Sequence, residues 1–146
     1  MMKKYIAISI LISCILLGGC SAISSVNYDI ADSSKAITMD DNHVYVNPND
    51  PEDGYQVVTV NNRDYILFGT QGKTITGDMI GECIAYDSED NARRYYRVVG
   101  TDDYIAEYYV VGVMEQFVFL RAIDTMDKDI DTPNFIDDLD YDIWKW

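Results

Sequence analysis

The sequence YIAEYYVV, residues 104–111, is the clearest strand signature in the chain. Successive side chains of a β-strand point to opposite faces of the sheet. Alternate positions divide the stretch into two sets, which are Ile105, Glu107 and Tyr109 on one face and Tyr104, Ala106, Tyr108 and Val110 on the other. Because aromatic residues occur in both sets, we expect both faces of this strand to be partly covered.

Similar short runs surround this stretch. They are rich in Val, Ile, Tyr and Phe, and they are HVYVN (43–47), YQVVTV (55–60), RDYILFG (63–69), MIGECIAY (79–86), RRYYRVVG (93–100) and EQFVFLRAI (115–123). Asn61 and Asn62 tolerate positive φ and separate two runs, which predicts a hairpin turn. Runs spaced by about 8–12 residues predict a mainly β fold, as an antiparallel meander, a sandwich or a small barrel.

The C-terminal segment DTPNFIDDLDYDIWKW, residues 131–146, has a different pattern. Thr132 can cap a helix and Pro133 suits its first turn. The apolar residues recur at helical spacing and are Ile136, Leu139, Ile143 and Trp144. The sequence therefore predicts a short amphipathic helix docked on the sheet.

The N-terminus has the pattern of a secretory signal. Lys3 and Lys4 precede the apolar run 5–17, which is shorter than the roughly 20 residues of a membrane-spanning helix. The end of this run and the residues after it, Leu17-Gly18-Gly19-Cys20, match the lipobox of bacterial lipoproteins. We predict a lipoprotein signal peptide over residues 1–19, cleavage between Gly19 and Cys20, and a lipid on Cys20.

The remaining chain divides into two parts. Residues 20–42 are rich in Ser, Asp, Asn and Ala, which indicates a flexible tether spanning about 25 Å. Residues 43–146 then form a single domain. With Cys20 acylated, Cys83 has no partner for a disulfide, and its apolar context predicts a buried side chain. The expected location is the extracytoplasmic face of the cell membrane.

The charge restricts the partners. The formal net charge of −14 becomes −16 when Lys3 and Lys4 are removed with the signal. Such a chain repels nucleic acid, so no nucleic-acid partner is expected. It attracts cationic peptides, basic proteins or divalent cations. The cluster of Arg93, Arg94 and Arg97 is expected to pair with acidic residues across the sheet.

An acidic segment before the C-terminus resembles a calcium loop. Asp127, Asp129 and Asp131 take positions 1, 3 and 5 of such a loop, and Asp138 takes position 12. Thr132 stands where the loop needs glycine, and no glutamate supplies the bidentate ligand. The pattern favours a solvated acidic turn over a calcium site, so we predict no metal site and no cofactor.

The same segment is a candidate docking surface for a cationic partner. Acidic and aromatic side chains together suit basic, partly apolar peptides. The candidate partner-binding residues are Asp127, Asp129, Asp131, Asp137, Asp138, Tyr141 and Trp144.

Catalysis has little support in the sequence. His43 is the single histidine, and it stands at the start of a strand, next to the tether. No nucleophile–base pair is recognisable. We therefore expect a protein that is not an enzyme and has no catalytic residues.

The order VNNRDYILFG, DMIGECIAY, RYYRVVG, DDYIAEYYVV, FVFLRA resembles the strand pattern of lipid-anchored lantibiotic immunity proteins, such as the nisin and subtilin immunity lipoproteins. The likeness spans about residues 55–123. It implies a mostly β domain outside the membrane that would bind a cationic antimicrobial peptide. It assigns no individual binding residue.

Two functions remain open. The first is a membrane-anchored, non-catalytic binding module for a cationic peptide or basic protein, with antimicrobial-peptide immunity as one form. The second is an accessory lipoprotein of the cell envelope that docks to a membrane protein complex.

Overall fold

The structure is a computed structural model that describes residues 25–29, 33–90, 92–111 and 114–145. The predicted signal peptide, its cleavage site and Cys20 lie outside these residues. The strands are β1 (Ala36–Ile37), β2 (Val44–Asn47), β3 (Asp50–Gln56), β4 (Val58–Val60), β5 (Arg63–Gln71), β6 (Ile80–Asp87), β7 (Arg94–Val98), β8 (Tyr104–Val111), β9 (Met114–Ala122) and β10 (Ile136–Asp138). Short 3-10 helices cover Ser33–Lys35, Ile123–Thr125 and Asp142–Trp144. No helix within the described ranges is long and apolar enough to cross a membrane.

One twisted sheet organises the fold. Its strand order is β1-β6-β7-β8-β9-β5, and the far edge of β5 is shared by β4 and β10. All pairings are antiparallel except that of β1 with β6. Strands β2 and β3 form a separate hairpin. The mainly β, antiparallel prediction is confirmed, and the described sheets do not close into a barrel.

Both faces of the central strands are covered, as the alternation in β8 predicts. Tyr104, Ala106 and Tyr108 belong to a core on one side, which we call the first face. Ile105 lies in a second core on the opposite side, which we call the second face. Glu107 is also buried. The predicted positions of the Tyr109 and Val110 side chains fall outside the part that the structure describes.

The turn predicted between β4 and β5 is confirmed. Asn61 and Asn62 have φ values of 51° and 61°. Val60 pairs with Arg63, so these two asparagines form the whole connection. Positive φ at both central residues is the requirement of the tight hairpin turn that matches strand twist.

The buried position predicted for Cys83 is also confirmed. The side chain is 5% exposed, and its Sγ donates to the Ala85 carbonyl at 3.2 Å. Cys83 is the one cysteine among the described residues. Within them, packing therefore stabilises the fold without a disulfide.

The C-terminal segment corrects the sequence prediction. Residues 136–138 form strand β10, and helical structure is limited to the single 3-10 turn Asp142–Trp144. The Thr132 hydroxyl bonds the Tyr104 hydroxyl at 3.0 Å instead of capping a helix. A strand forms here because β4 pairs only with the first part of β5, which leaves the edge of its later part free. Gly69 lies in that later part, and without a side chain it allows another backbone to approach closely.

Part of the predicted tether lies against the sheet. Val26 is buried, and the Tyr28 ring lies 5.0 Å from Tyr108 and 6.2 Å from Phe117 between centroids. Further along, β1 pairs with β6. Val26, Tyr28 and the β1 residues 36–37 therefore lie against the sheet, which revises the flexible-tether prediction at these positions.

Gly69 provides a test of the β5–β10 pairing. A Cβ at this position would lie 2.6 Å from the Asp137 carbonyl oxygen, so Gly69→Ala should force β10 away from β5. We expect a loss of about 1–3 kcal/mol in the free energy of unfolding, measured by urea denaturation. Hydrogen exchange should locate the loss in the amides of Gly72 and Leu139, which bond Phe135 and Phe68 carbonyls across this edge.

Gly100→Ala is the matched control. Gly100 has a φ of 88°, but a Cβ there meets nothing within 4 Å. This variant should show backbone strain without faster exchange at the β5–β10 edge. Unchanged exchange at that edge in Gly69→Ala would contradict the pairing.

Candidate functional site

A cavity of about 570 Å³ lies between the second face and the β2–β3 hairpin. Strands β4, β5 and β9 form its apolar floor with Val58, Leu67, Val118 and Leu120. These side chains share one face because Val118 and Leu120 alternate along β9 and because Leu67 pairs with Leu120. The cavity is large enough for a small molecule or for one or two peptide side chains.

An ion pair closes one end of the cavity. Arg93 Nε lies 2.6 Å from Glu107 Oε1, and the Glu107 side chain is only 9% exposed. Burial raises the pKa of Glu107, and the nearby Arg93 guanidinium opposes that rise. Burial likewise raises the pKa of the neighbouring Tyr95. The pair places a charged group on the inward face of a strand, where an apolar residue would be the usual choice.

Two tyrosines border the other end. The rings of Tyr55 and Tyr141 lie 5.6 Å apart between centroids. The Tyr55 hydroxyl donates to Asp53 Oδ2 at 2.9 Å, and the same oxygen accepts from Asn47 Nδ2 at 3.0 Å. Burial and the bond to Asp53 raise the pKa of Tyr55 to about 12, so its phenol stays neutral. We call Asp53, Tyr55 and Tyr141 the aromatic mouth.

The hairpin wall depends on a close contact. Gly54 stands between Asp53 and Tyr55 in β3, opposite Val46 in β2. A Cβ on Gly54 would lie 2.9 Å from Val44 Cγ1. A side chain here would push the two strands apart and move both neighbouring residues of the aromatic mouth.

This arrangement is suited to binding a cation beside an apolar group. Tyrosine faces attract cations, and a carboxylate nearby adds to that attraction. The floor offers apolar contact. The Arg93–Glu107 pair can orient a polar group of a ligand through the remaining N–H groups of the guanidinium.

The predicted partner-binding residues are divided by the fold. Tyr141 lines the cavity. Asp127, Asp129, Asp131, Asp137 and Asp138 are exposed and do not line it. In the described ranges none of these five carboxylates has an ion pair.

Trp144 lies in the core and not on a docking surface. Its Nε1 donates to the Leu67 carbonyl at 3.1 Å, and its ring lies 5.6 Å from Phe68 between centroids. The Arg121 guanidinium lies over the Trp144 ring, 4.9 Å from its centroid. Trp144 therefore supports the site from within the core.

The calcium-loop spacing does not fold as a calcium loop. Asp138 belongs to strand β10, and the segment before it is irregular. Within the part of the chain that the structure describes, no group of three or more His, Cys, Asp or Glu side chains could hold a metal ion. His43 is exposed at the start of the hairpin and does not line the cavity.

The predicted pairing of the arginine cluster is confirmed for Arg93 and for Arg97, which bonds Glu82 at 3.1 Å. Arg94 donates to the Tyr28 carbonyl oxygen.

Sequence reasoning did not identify Asp53, Tyr55, Arg93 and Glu107 as neighbours. A usable signal was present for Glu107, because it is a charged residue at an inward position of a strand that is apolar on both faces. The register of β7 with β8 places Tyr95 opposite Glu107, and Arg93 is two residues before Tyr95, on the same face as Glu107. Asp53 and Tyr55 gave no signal, because the path of the hairpin alone brings them to the sheet.

Comparisons with protein-family models, with curated proteins and with solved structures find no match to this chain.

The buried ion pair predicts a pH-dependent loss of stability. Arg93→Met leaves the Glu107 carboxylate buried without its partner, which should lower the free energy of unfolding by about 2–3 kcal/mol near neutral pH. Glu107 holds its proton more tightly in the folded than in the unfolded chain, so its contribution falls as pH rises from the usual glutamate range through its raised pKa. The loss in Arg93→Met should therefore shrink as the pH is lowered and Glu107 becomes protonated. Urea denaturation over a pH series measures it.

Two variants serve as controls. Arg93→Met combined with Glu107→Gln removes the titrating group, so its stability should show no such pH dependence. Arg97→Met breaks the exposed pair with Glu82 and should cost less than about 1 kcal/mol. A loss in Arg93→Met that is constant with pH would contradict the role given to Glu107.

Proposed function

We propose that the protein is a membrane-anchored, extracytoplasmic lipoprotein that binds a cationic peptide or basic protein without converting it chemically. The observation that carries this proposal is the aromatic mouth, in which Tyr55, Tyr141 and Asp53 open onto an apolar floor. The lipid anchor rests on the sequence before Cys20.

The aromatic mouth favours one kind of ligand group. A lysine or arginine side chain over the Tyr55 and Tyr141 faces would gain about 0.5–2 kcal/mol from the ring electrons. Asp53 would add a charge contact, and its position is fixed by the two hydrogen bonds it accepts. An adjoining apolar side chain of the ligand would fit on Leu67 and Val118, the two floor residues that are only partly buried.

The exposed carboxylates act at longer range. The chain has a formal net charge of −14, and the acidic residues 127–131 and 137–138 are exposed. Such a field raises the rate at which cationic partners reach the protein and is screened by salt. The acidic segment thus steers a partner, and the cavity holds it.

Antimicrobial-peptide immunity is one form of this function. Cationic antimicrobial peptides combine basic and apolar side chains, which are the two groups that the cavity accommodates. The resemblance in strand order to lantibiotic immunity lipoproteins supports the same proposal. Binding such a peptide outside the membrane would lower its free concentration there.

A second candidate is docking to a membrane protein complex. Val44 and Val46 on β2 are 44% and 48% exposed, which is unusual for valines in a strand. Among the described residues β2 pairs with β3 alone, so its other edge is open. An extended segment of a partner could add to this edge.

Peptide binding is tested by thermal unfolding with a panel of cationic antimicrobial peptides. A peptide present at about 100 times its dissociation constant should stabilise the protein by about 2.7 kcal/mol. Tyr55→Leu should weaken the binding of that peptide by about 2- to 30-fold, because the aromatic face is lost. Titration calorimetry measures the affinity of each variant.

Tyr86→Leu is the matched control, because Tyr86 is a half-buried tyrosine that does not line the cavity. Its affinity for the peptide should equal that of the wild type. Raising the ionic strength from about 0.01 M to about 1 M shortens the Debye length from about 30 Å to about 3 Å and should weaken binding strongly. Equal losses in both tyrosine variants, or binding insensitive to salt, would contradict the proposal.

A further inference from the structure

The chain is attached to the sheet soon after the predicted lipid site. Val26 is 7% exposed within the core of the first face. Arg94 donates to the Tyr28 carbonyl oxygen at 2.6 Å, and the Tyr96 hydroxyl donates to the same oxygen at 3.2 Å. We call residues 26–28 and these contacts the tether clamp.

The clamp limits the distance between the domain and Cys20. Val26 is the sixth residue after Cys20, and six fully extended residue steps span at most about 21 Å. Without the clamp, the next attachment would be β1, which begins at Ala36. The intervening chain could then reach about 55 Å.

The clamp lies behind the candidate site. The Tyr28 ring packs on Tyr108 and Phe117, and both belong to the first face. Their neighbours in sequence, Glu107 and Val118, line the cavity on the second face. The two positions are separated by the thickness of the sheet and its side chains, which is about 10 Å.

We propose that the tether clamp holds the cavity next to the bilayer surface, within about 30 Å of the lipid on Cys20. This inference rests on the proposed lipid anchor. Cationic peptides concentrate at anionic bilayer surfaces. A cavity kept in this layer meets them at their highest local concentration, whereas a domain attached only from β1 onward could move out to about 55 Å from the lipid.

The test measures energy transfer between the protein and a bilayer. The full chain is expressed with its signal, purified from membranes, and reconstituted into phosphatidylcholine–phosphatidylglycerol vesicles that carry an acceptor dye on a lipid headgroup. Glu89→Cys receives the donor dye, because Glu89 is exposed in the loop between β6 and β7, at the sheet end where β1 pairs. In the lipidated protein Cys14 has left with the signal, Cys20 is acylated and Cys83 is buried, so labelling is confined to the new thiol.

Val26→Ser, Tyr28→Ser and Arg94→Met together should release the clamp, because Tyr28→Ser alone keeps the carbonyl oxygen that Arg94 bonds. Transfer efficiency should be high with the native clamp and fall in the triple variant, because the maximum reach of the chain rises from about 21 Å to about 55 Å. Tyr28→Phe keeps the ring contacts and should retain the native efficiency. Tyr45→Leu changes a half-buried tyrosine of β2 that belongs neither to the clamp nor to the cavity lining, and it should also leave the efficiency unchanged.

Intact-mass measurement of the same samples separates the two proposals. Protein that carries diacylglycerol on Cys20 and shows equal transfer with and without the clamp would overturn the clamp alone. Low transfer in the lipidated protein with its native clamp would overturn it too. Protein without a lipid on Cys20 would overturn the anchor and, with it, the placement of the cavity.

Discussion

The architecture depends on covering both faces of the β8–β9 pair. Ala106 and Phe119 are fully buried on the first face, and Ile105 and Leu120 are almost fully buried on the second. Burial of apolar surface contributes about 25 cal/mol per Å², and in the described chain no disulfide adds to it. A single sheet cannot cover itself, so the N-terminal segment and the C-terminal segment pack on the first face. The second face is covered less completely, and the cavity is the uncovered part.

Arg121 explains why the C-terminal segment belongs to the core. Its guanidinium lies over the rings of Phe68 and Trp144 and donates to the Thr125 hydroxyl and to the carbonyls of Thr125 and Lys128. Among the described residues it has no carboxylate partner. Ring faces and carbonyl oxygens, in place of a carboxylate, stabilise the positive charge of Arg121. The segments that supply these groups must therefore pack closely around it. The acidic side chains of that segment are then left on the outside.

Local signals predicted the local features of the fold. The turn at Asn61 and Asn62 and the burial of Cys83 follow from neighbouring residues, and both are confirmed. The prediction of a helix after Thr132 was wrong, because the same spacing of apolar residues is also compatible with a strand followed by a turn. The free edge of β5 decided between them, and that edge is set by residues far away in sequence. Glu107 was assigned to the correct face, but its grouping with Tyr55 depends on the path of the hairpin, and its grouping with Tyr141 on the path of the chain after β10.

The late position of β10 has a consequence for the biogenesis of the protein. The later part of β5 pairs with β10, and the Leu67 carbonyl accepts a hydrogen bond from the Trp144 indole. Both partners belong to the C-terminal segment. Contacts between segments so distant in sequence form late, because the chain must first close a long loop. A chain whose C-terminal segment is still held on the ribosome therefore has an incomplete core. Completion of the fold waits for the release of that segment, so β5 keeps an unpaired stretch until then.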